Sequence, residues 1–326
     1  MSAYSPLLPS RRLRAVLLLL VLAALAGCAR PPQLPLRIAT NNWVGYAPFY
    51  LARQQGQFSE QDVRLVEMVS AADVLHALGN GLVDGAALTL DEAMLLGSKG
   101  FDLRIVMILD VSNGADMLIS KPDVRALPQL RGRRIGYENT AVGAVLLDAA
   151  LRAAGLQRQD VTLVPIAANE HEVAFIRNKV DAVVTFEPAA SVLREKGGQV
   201  LFSSADISGS IVDVLAVRGD IDAEKLAKLK RLMRGWLNAV ANLKKKPEAG
   251  YEIMGQRYGL SAKEMQLRMS GLLLANMADN HEMMSGNPSK LEVRAKQMAA
   301  TMKQQRLLLR PPSLQEMIMT EPLNSL

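Results

Sequence analysis

The sequence has little of the chemistry on which common enzyme sites depend. It contains one cysteine, Cys28, and three histidines in 326 residues. A single thiol excludes an intramolecular disulfide and any site built from several cysteines. The sequence also has no phosphate-binding P-loop, no nucleophile-elbow serine and no glycine-rich dinucleotide loop after its first strand. The histidines are far apart, none has a partner at metal-ligand spacing, and we expect all three to be exposed: His76, His171 and His281.

Aromatic residues and excess charge are also scarce. Aromatics make up 4% of the chain, so several aromatics in one loop are informative. Hydrophobic residues account for 49% and charged residues for 21%, which is typical of a globular protein. The formal charge is +6, but Arg11, Arg12 and Arg14 supply half of that excess near the start of the chain. No basic stripe with interleaved aromatics is present, and we expect no nucleic-acid partner.

The start of the chain has the pattern of a secretion signal. Basic residues precede the apolar run Ala15–Gly27, which is too short to be a comfortable membrane span. The run ends in Leu-Ala-Gly followed by Cys28, as in bacterial lipoprotein signals. We therefore predict a signal peptide at residues 1–27, lipidation of Cys28, and a proline-rich tether at residues 28–35. The alternative for Cys28 is a buried core cysteine.

One polar and aromatic loop follows the first predicted strand. Within Arg37–Ala52, a short apolar strand leads into Asn41–Tyr46, and Pro48 stands where a helix accepts proline in its first turn. A strand, an exposed loop and a helix start is a common way for α/β proteins to form ligand pockets. The alternative is that Trp43 and Tyr46 only staple a turn onto the core.

The remaining sequence predicts an α/β fold with a helical end. Strand and helix patterns alternate three times, a turn follows at Ser112–Gly114, and a second block of the same kind runs to about residue 217. Pockets in such sheets lie beyond the carboxyl ends of the strands. From about Ala223 onward the pattern is helical, and Trp236 belongs to an apolar helix stripe that predicts a core position. We expect this helical end to pack on the first block.

Four segments, in order and spacing, resemble the nitrate/sulfonate/taurine-type substrate-binding proteins of ABC importers. They are W-x-G-Y-A-P-F-Y-L-A-R-x-x-G-x-F, D-G-A-A-L-T-L-D-E-A, L-R-G-R-R-I-G-Y and V-D-A-V-V-T-F-E-P. The resemblance implies a two-lobed periplasmic-binding-protein type II fold, each lobe a mainly parallel sheet flanked by helices, with a helical C-terminal region. It places lobe 1 at residues 36–113 plus 222–326, and lobe 2 at residues 114–221.

The resemblance also implies a set of ligand-facing residues, carried over by position. From lobe 1 and the hinge they are Asn42, Trp43, Tyr46, Thr89, Asp91, Ser112, Asn113 and Gly114. From lobe 2 they are Asn139, Thr140, Ala141 and Glu187. Backbone N–H groups at a helix start suit an anionic group such as a sulfonate or carboxylate. Should Asp91 and Glu187 both reach the cleft, they favour a ligand that carries an amine or ring N–H donors. The alternative for Glu187 is a helix cap.

The expected function is that of a lipid-anchored solute-binding protein. It would capture a sulfonate, taurine, nitrate or pyrimidine-like solute between the lobes and deliver it to a membrane permease driven by a separate ATPase. We expect a monomer at the periplasmic face of a bacterial membrane, with no metal, cofactor or catalytic residue. A ligand-sensing or partner-binding protein on the same fold is the alternative. A related enzymatic branch makes a thiamine pyrimidine precursor and carries a cysteine-rich motif, which this sequence lacks.

Overall fold

Two β-sheets form the framework of the computed structural model, which describes residues 34–139, 141–304, 307–308 and 310–326. Eleven strands lie in this part of the chain, most of them short and rich in aliphatic residues, as buried strands are. They are β1 Leu36–Thr40, β2 Val63–Glu67, β3 Gly85–Thr89, β4 Leu103–Ser112, β5 Asp116–Ser120, β6 Arg134–Tyr137, β7 Thr162–Pro165, β8 Ala182–Phe186, β9 Gln199–Ser203, β10 Val212–Arg218 and β11 Leu272–Leu274.

The strands are divided between a six-stranded first sheet and a five-stranded second sheet. The strand order is β11-β4-β10-β3-β1-β2 in the first sheet and β7-β6-β8-β5-β9 in the second. The chain passes to the second sheet between β4 and β5, and it returns between β9 and β10. The predicted α/β fold of two lobes, joined by two crossings, is confirmed.

The strand pairing corrects one detail of the expected fold, because both sheets are mixed and not mainly parallel. In the first sheet β1 is parallel to β2 and β3, whereas β10 is antiparallel to β3 and β4, and β11 is antiparallel to β4. In the second sheet β6 is parallel to β7 and β8, whereas β5 is antiparallel to β8 and β9. Two neighbouring strands pair in parallel only if a long connection crosses over between them. The strands at which the chain enters or leaves a sheet lack such a connection, so they pair antiparallel.

Helices cover the sheets and form most of the C-terminal third. They are α1 Ala47–Gln54, α2 Ala71–Gly79, α3 Leu90–Ser98, α4 Ala141–Ala153, α5 His171–Ile176, α6 Ala189–Glu195, α7 Ala223–Lys245, α8 Pro247–Gln256, α9 Ala262–Met269, α10 Met277–Met284, α11 Lys290–Gln304, α12 Leu314–Met317 and α13 Glu321–Asn324. Pro48 lies in the first turn of α1, as predicted. Ser70 caps α2 by accepting a hydrogen bond from the Asp73 amide at 3.1 Å.

The C-terminal helices share a core with the first sheet. Trp236 of α7 is fully buried, as its apolar stripe predicted, and its ring centroid lies 4.5 Å from that of Phe49 in α1. Leu229 and Leu232 belong to the same core as Ile38 of β1. The expectation that the helical end packs on the first block is therefore confirmed.

Several sequence-based predictions concern features that the described residues do not include or decide. The signal segment, Cys28 and the first part of the tether lie outside the described residues. The lobe limits near residues 113 and 222 stay predictions. None of the described helices combines the length and the apolar character that crossing a bilayer requires.

Candidate functional site

The loop after β1 holds its aromatic side chains inward. The Asn41 side-chain oxygen accepts a hydrogen bond from the Trp43 amide at 2.9 Å, which tightens the turn. Trp43 and Tyr46 are 5% and 2% exposed, so both face the interior. From the C-terminal helices, the Tyr258 hydroxyl donates to the Trp43 carbonyl at 3.2 Å. The loop is therefore held by a hydrogen bond within itself and by another from Tyr258.

Gly45 allows a close approach inside this loop. A Cβ atom at Gly45 would lie 2.2 Å from Trp43 Nε1 and 2.5 Å from an oxygen of Asp110, distances that real Cβ atoms do not reach. The absent side chain therefore lets the indole N–H and a carboxyl of β4 come together over the loop. This is a packing reason for glycine at a position where the backbone is not in the left-handed region.

A small cleft lies between the two sheets, beside this loop. Its free volume is about 30 Å³, which is room for about one water molecule. The lining residues come from both sheets and the helices beside them: Asn41, Trp43, Tyr46, Ala71, Thr89, Glu92, Asp116, Glu138, Val142, Phe186, Ile211 and Asp213. A ligand of several heavy atoms therefore requires the walls to move apart.

The wall formed by the first sheet carries buried acids. The Tyr46 hydroxyl donates to Asp213 at 2.5 Å, and Asp213 of β10 lies opposite Asp110 of β4 in the strand pairing. One oxygen of Glu92 is buried without a hydrogen-bond partner, whereas Asp110, which is not among the lining residues, interacts with the Trp43 indole and with Asp213. Burial raises the pKa of Asp110, of Asp213 and of Glu92 above the usual range, and neighbouring carboxyls raise it further.

The opposite wall, from the second sheet, carries two more acids and an aromatic ring. Asp116 begins β5 and Glu138 follows β6; burial raises the pKa of each carboxyl to about 7. One oxygen of Asp116 has no hydrogen-bond partner, and the backbone N–H groups of Ala71 and Ala72 interact with Glu138 and lower its pKa against the larger effect of burial. Phe186, at the end of β8, meets Trp43 edge to face with ring centroids 5.7 Å apart. This aromatic pair closes the cleft between the sheets.

The arrangement favours a ligand that donates hydrogen bonds. Buried carboxyl groups without partners are costly unless a partner or a proton reaches them. No lysine or arginine is among the described residues that line the cleft. The described part of the chain also has no group of three or more His, Cys, Asp or Glu side chains placed to hold a metal ion. The acids are therefore available to N–H groups of a bound molecule.

The structure brings only some of the expected ligand residues to this cleft. Trp43, Tyr46 and Thr89 line it. Asn42 and Asn139 are exposed and do not line it; the neighbouring Asn41 does. Thr140 and the side chain of Ala141 lie outside the described residues.

The residues expected at the hinge lie where the chain crosses from the first sheet to the second. Ser112 is buried and its hydroxyl lies 2.8 Å from that of Ser204, which also accepts from the Gly114 amide at 2.7 Å. The exposed Asn113 donates its amide to the Gly271 carbonyl at 2.8 Å. None of Ser112, Asn113 and Gly114 is among the residues that line the cleft.

The two acids that the sequence singled out lie at helix starts. Asp91 is buried in the first turn of α3, and burial raises the pKa of its carboxyl to about 6. Glu187 is also buried; its carboxylate accepts from the Ser191 hydroxyl at 2.7 Å and lies 3.7 Å from the guanidinium of Arg268. Neither is among the lining residues, so the helix-cap alternative describes the contacts of Glu187.

The acids that do line the cleft were missed in the sequence. Glu138 and Phe186 stand at the carboxyl ends of β6 and β8, where the rule for α/β pockets could have indicated them. Asp110 and Asp116 stand in the segment after the predicted strand that ends at Leu109, which the same rule marks as a candidate ligand loop, whereas no local pattern marks Asp213. Strand pairing places Asp213 opposite Asp110, and Asp116 comes from the other sheet.

One histidine corrects the expectation that all three are exposed. His76 and His281 are exposed, but His171 is only 1% exposed. Polar neighbours in the sequence suggested a surface position, whereas His171 begins α5 on the side that faces β8. Its Nδ1 lies 3.1 Å from the Thr185 hydroxyl oxygen.

A cleft between two mixed α/β sheets, walled by polar groups from both, defines a two-lobed small-molecule-binding protein. The same fold is found in the alkanesulfonate-binding protein SsuA from Xanthomonas axonopodis pv. citri bound to MOPS. That structure matches with a TM-score of 0.73 and 18% identity, over 90% of this chain and 100% of the other. The chain belongs to the NMT1-like family, whose model matches residues 29–255.

Curated relatives of the chain include a binding protein and an enzyme. The taurine-binding periplasmic protein of Escherichia coli K12 is 26% identical over 215 residues, which are 63% of this chain and 65% of that protein. The 4-amino-5-hydroxymethyl-2-methylpyrimidine phosphate synthase of Legionella pneumophila is 22% identical over 220 residues, or 65% of this chain and 69% of that protein. The family thus includes relatives of both kinds.

Proposed function

We propose that this protein is the solute-binding component of an ABC importer. It captures a small molecule in the cleft between its two sheets and delivers it to a membrane permease that a separate ATPase drives. The NMT1-like family match, the taurine-binding relative and the fold shared with SsuA support this function. The two chain crossings between the sheets also fit a protein that opens and closes around a ligand.

The observation that carries the ligand class is the set of buried carboxyl groups that line the cleft. Glu92 provides an unpartnered oxygen on the side of the first sheet and Asp116 one on the side of the second, where Glu138 also lines the cleft. A ligand with amino or ring N–H groups would satisfy these oxygens and offset the cost of their burial. The edge-to-face pair of Trp43 and Phe186 offers aromatic contacts to a planar ring. The proposed ligand is therefore a small, planar, nitrogen-rich solute.

A sulfonate suits this cleft less well. Its permanent negative charge about 4 Å from one ionised carboxylate costs roughly 4 kcal/mol at an effective dielectric constant of about 20. No lysine or arginine among the described lining residues offsets that cost. The sulfonate-binding relatives therefore support the transport role, whereas the acids favour another ligand.

An aminopyrimidine has the chemistry that these acids require. A protonated carboxyl donates to a ring nitrogen while its other oxygen accepts from the adjacent amino group, and a carboxylate pairs in the same way with a protonated aminopyrimidine. The raised pKa values of Asp116 and Glu138, about 7, make both proton arrangements accessible near neutral pH. The pyrimidine named in the Legionella relative belongs to this chemical class.

The second candidate is an enzyme that acts on a pyrimidine, and the synthase relative is the observation that favours it. The sequence has a single cysteine, Cys28, at the position expected for lipidation, so the cysteine-rich motif of the enzymatic branch is absent. A binding protein without catalysis is the proposal. Incubation of the bound pyrimidine with the protein, followed by mass spectrometry, should return the ligand unchanged; turnover would favour the enzyme.

The proposal includes a lipid anchor on Cys28 at the periplasmic face of the membrane and a monomeric binding protein. The apolar run before Cys28 supports the anchor. In a Gram-negative host, Cys28→Ser should release the protein from the membrane fraction. Mass spectrometry of the wild type should show a diacylglyceryl cysteine at the mature N-terminus, and an unmodified thiol there would contradict the anchor.

Thermal shift and calorimetry on the purified protein test the ligand class. The panel is 4-amino-5-hydroxymethyl-2-methylpyrimidine, taurine, methanesulfonate and nitrate. At about 100 times the dissociation constant, a ligand stabilises by about 2.7 kcal/mol, or about 5 °C or more in a domain of this size. We expect that shift with the aminopyrimidine and none with the sulfonates.

Variants of the acids sharpen this test. Asp116→Asn and Glu138→Gln should each weaken aminopyrimidine binding at least about tenfold, because each removes an acceptor that can share a proton. Glu248→Gln, an exposed acid on α8, is the matched control and should leave binding unchanged. Stabilisation by taurine alone would overturn the nitrogen-rich ligand but retain the transport role. No stabilisation by any solute would argue against a solute-binding protein.

A further inference from the structure

His171 is buried beside the cleft with one ring nitrogen unused. It is 1% exposed, Nδ1 lies 3.1 Å from Thr185 Oγ1, and Nε2 makes no hydrogen bond of standard geometry, although the Ile166 carbonyl is close enough to the ring to raise its pKa. Buried polar atoms left without a partner are destabilising and few in native proteins. The position of this nitrogen therefore requires an explanation that packing alone does not give.

A second cavity lies against the His171 ring. Its free volume is about 10 Å³, close to that of one water-sized group. It shares four lining residues with the cleft: Asp116, Glu138, Val142 and Phe186. The small cavity is therefore a side chamber of the cleft, with common walls.

Phe186 separates the chamber from the cleft. Its ring centroid lies 5.7 Å from that of Trp43 on the cleft side and 6.3 Å from that of His171 on the chamber side, both pairs edge to face. A planar ligand in the cleft beside the Trp43–Phe186 pair would carry a ring substituent toward this partition. The substituent that passes it meets His171.

The chamber is suited to a neutral polar group. Burial lowers the pKa of His171 to about 4, against a smaller opposing effect of the Ile166 carbonyl, so the imidazole is neutral near pH 7. A neutral imidazole offers one nitrogen that donates or accepts, depending on the tautomer. Asp116 and Glu138 share the chamber walls and repel an anionic substituent.

We propose that this chamber is a subsite for the ligand of the cleft, the His171 subsite, which takes one water-sized neutral substituent such as a hydroxyl or an amino group. This inference rests on the proposed function and adds to it a prediction of which ring substituents the ligand carries. A ligand whose ring carries a hydroxymethyl group fits the subsite. The same ring with a methyl group leaves His171 Nε2 without a partner, and the phosphorylated ring is excluded.

Calorimetry with matched ligands tests the subsite. The probes are 2-methyl-4-aminopyrimidines that carry hydroxymethyl, methyl or phosphorylated hydroxymethyl at the same ring carbon. In the full-length wild type, hydroxymethyl should bind at least about tenfold more tightly than methyl, which is about 1.4 kcal/mol. His171→Phe should reduce that preference to about twofold or less, whereas His171→Gln, which keeps a polar group, should retain part of it. His76→Phe, at an exposed position of α2, is the matched control.

Nitrogen NMR gives a readout that a structural role would not change. The chain has three histidines, so the side-chain nitrogen signals of His171 can be assigned with the His171→Gln variant. The hydroxymethyl ligand should shift the Nε2 signal of His171 and leave those of His76 and His281 in place. The methyl ligand should leave the Nε2 signal close to its position in the free protein.

The outcomes separate this inference from the proposed function. Binding of the hydroxymethyl and methyl ligands with equal affinity, or a preference that survives in His171→Phe, would overturn the subsite and leave the aminopyrimidine proposal standing. If the Nε2 signal does not move, the chamber holds a structural water and not the substituent of the ligand. No binding of any aminopyrimidine to the wild type would refute the proposed ligand class and the subsite with it.

Discussion

The two tryptophans of the chain lie in different surroundings although both are buried. Trp236 packs within one core, against Phe49 of the neighbouring helix, and is fully buried. Trp43 contacts Phe186, which belongs to the other sheet, across the cleft. The burial of Trp43 therefore depends on how the two sheets approach each other, whereas that of Trp236 does not.

Alanine at each position should separate binding from stability. Trp43→Ala should abolish ligand binding with a small loss of folding free energy, because a cleft residue leaves no closed cavity in the core. Trp236→Ala should lower the free energy of unfolding by about 3–5 kcal/mol, as large-to-small core substitutions do, and leave the affinity of the folded fraction unchanged. Urea unfolding and calorimetry measure the two effects. An equal loss of stability for both would make Trp43 an ordinary core residue.

At the scale of elements, both sheets use the same device to join two neighbouring parallel strands, β1 and β3 in the first sheet and β6 and β8 in the second. In the first sheet the Asp84 carboxylate accepts from the amide of Arg37 at 2.8 Å and from its guanidinium at 3.1 Å. In the second sheet the Asp181 carboxylate accepts from the amide of Arg134 at 2.8 Å and from its guanidinium at 2.8 Å. Each aspartate stands 47 residues after its arginine and directly before β3 or β8. The two blocks thus repeat one pattern.

Replacing Asp84 or Asp181 by alanine should lower the free energy of unfolding by different amounts. Asp84 is 6% exposed and also accepts from Lys225, whereas Asp181 is 21% exposed. Asp84→Ala should therefore cost about 2–4 kcal/mol and Asp181→Ala about 1–2 kcal/mol, by the usual scale of hydrogen bonds to charged groups and of partly buried pairs. Urea unfolding near neutral pH measures both losses. A larger loss at Asp181 would contradict the ranking by burial.

The stability that these substitutions remove should depend on pH and decrease as the solution becomes more acidic. Burial raises the pKa of Asp84, but hydrogen bonds from Arg37 and Lys225 bring it below its usual value, and the Arg134 hydrogen bond lowers that of Asp181. Carboxylates with depressed pKa values stabilise the fold above pH about 4 and lose that contribution as pH falls further. The difference between wild type and Asp84→Ala should therefore shrink between pH 6 and pH 3.

Arg268 joins the C-terminal helices to the second sheet. It lies on α9, is 6% exposed, and its guanidinium is 3.3 Å from Glu195 and 3.4 Å from the Pro188 carbonyl, besides the buried Glu187. Glu187, Pro188 and Glu195 surround or form α6, on the other side of the cleft. The guanidinium therefore holds the two sides together in this closed arrangement.

Arg268→Met should loosen closure. It removes the charge but keeps much of the side-chain volume, so the ligand should dissociate about tenfold faster with a smaller change in the association rate, as is usual for interface substitutions. Stopped-flow fluorescence measures both rates. Lys263→Met, an exposed position on the same helix, is the control. An unchanged dissociation rate would show that the contact only fills space.

At the scale of the whole molecule, the cleft acids determine how stability varies with pH. Burial raises the pKa of Asp116 and of Glu138 to about 7, and it also raises that of Asp110 and Asp213. Carboxyls of the unfolded chain release their protons near pH 4. Between pH about 4 and about 7 the folded protein therefore binds more protons than the unfolded chain, and its stability falls as pH rises.

Calorimetric melting between pH 5 and pH 8 checks this sign. The free protein should lose about 5 °C or more over that range. The double variant Asp110→Asn with Asp213→Asn should show a flatter profile, because two of the titrating groups are gone. An aminopyrimidine ligand should also flatten it, since its N–H groups favour the ionised acids. A melting temperature that rises with pH would contradict the buried, protonated cluster.

The sequence by itself determined the local parts of this protein. Apolar periodicity, turn residues and Pro48 defined the order of strands and helices, and the aromatic loop from Asn41 to Tyr46 was evident because its signals lie within six residues. Trp236 was predicted correctly because a helix stripe is a local pattern.

Only the tertiary structure decided the character of the site. Asp110, Asp116, Glu138 and Asp213 come from four separate segments, and their pKa values rise because two sheets together exclude water from them. Each is an ordinary acid in the sequence. His171 was wrongly expected at the surface for the same reason, since its burial depends on a strand that follows it in the chain. Burial and charge proximity are properties of the packed chain, and they determine the proposed ligand.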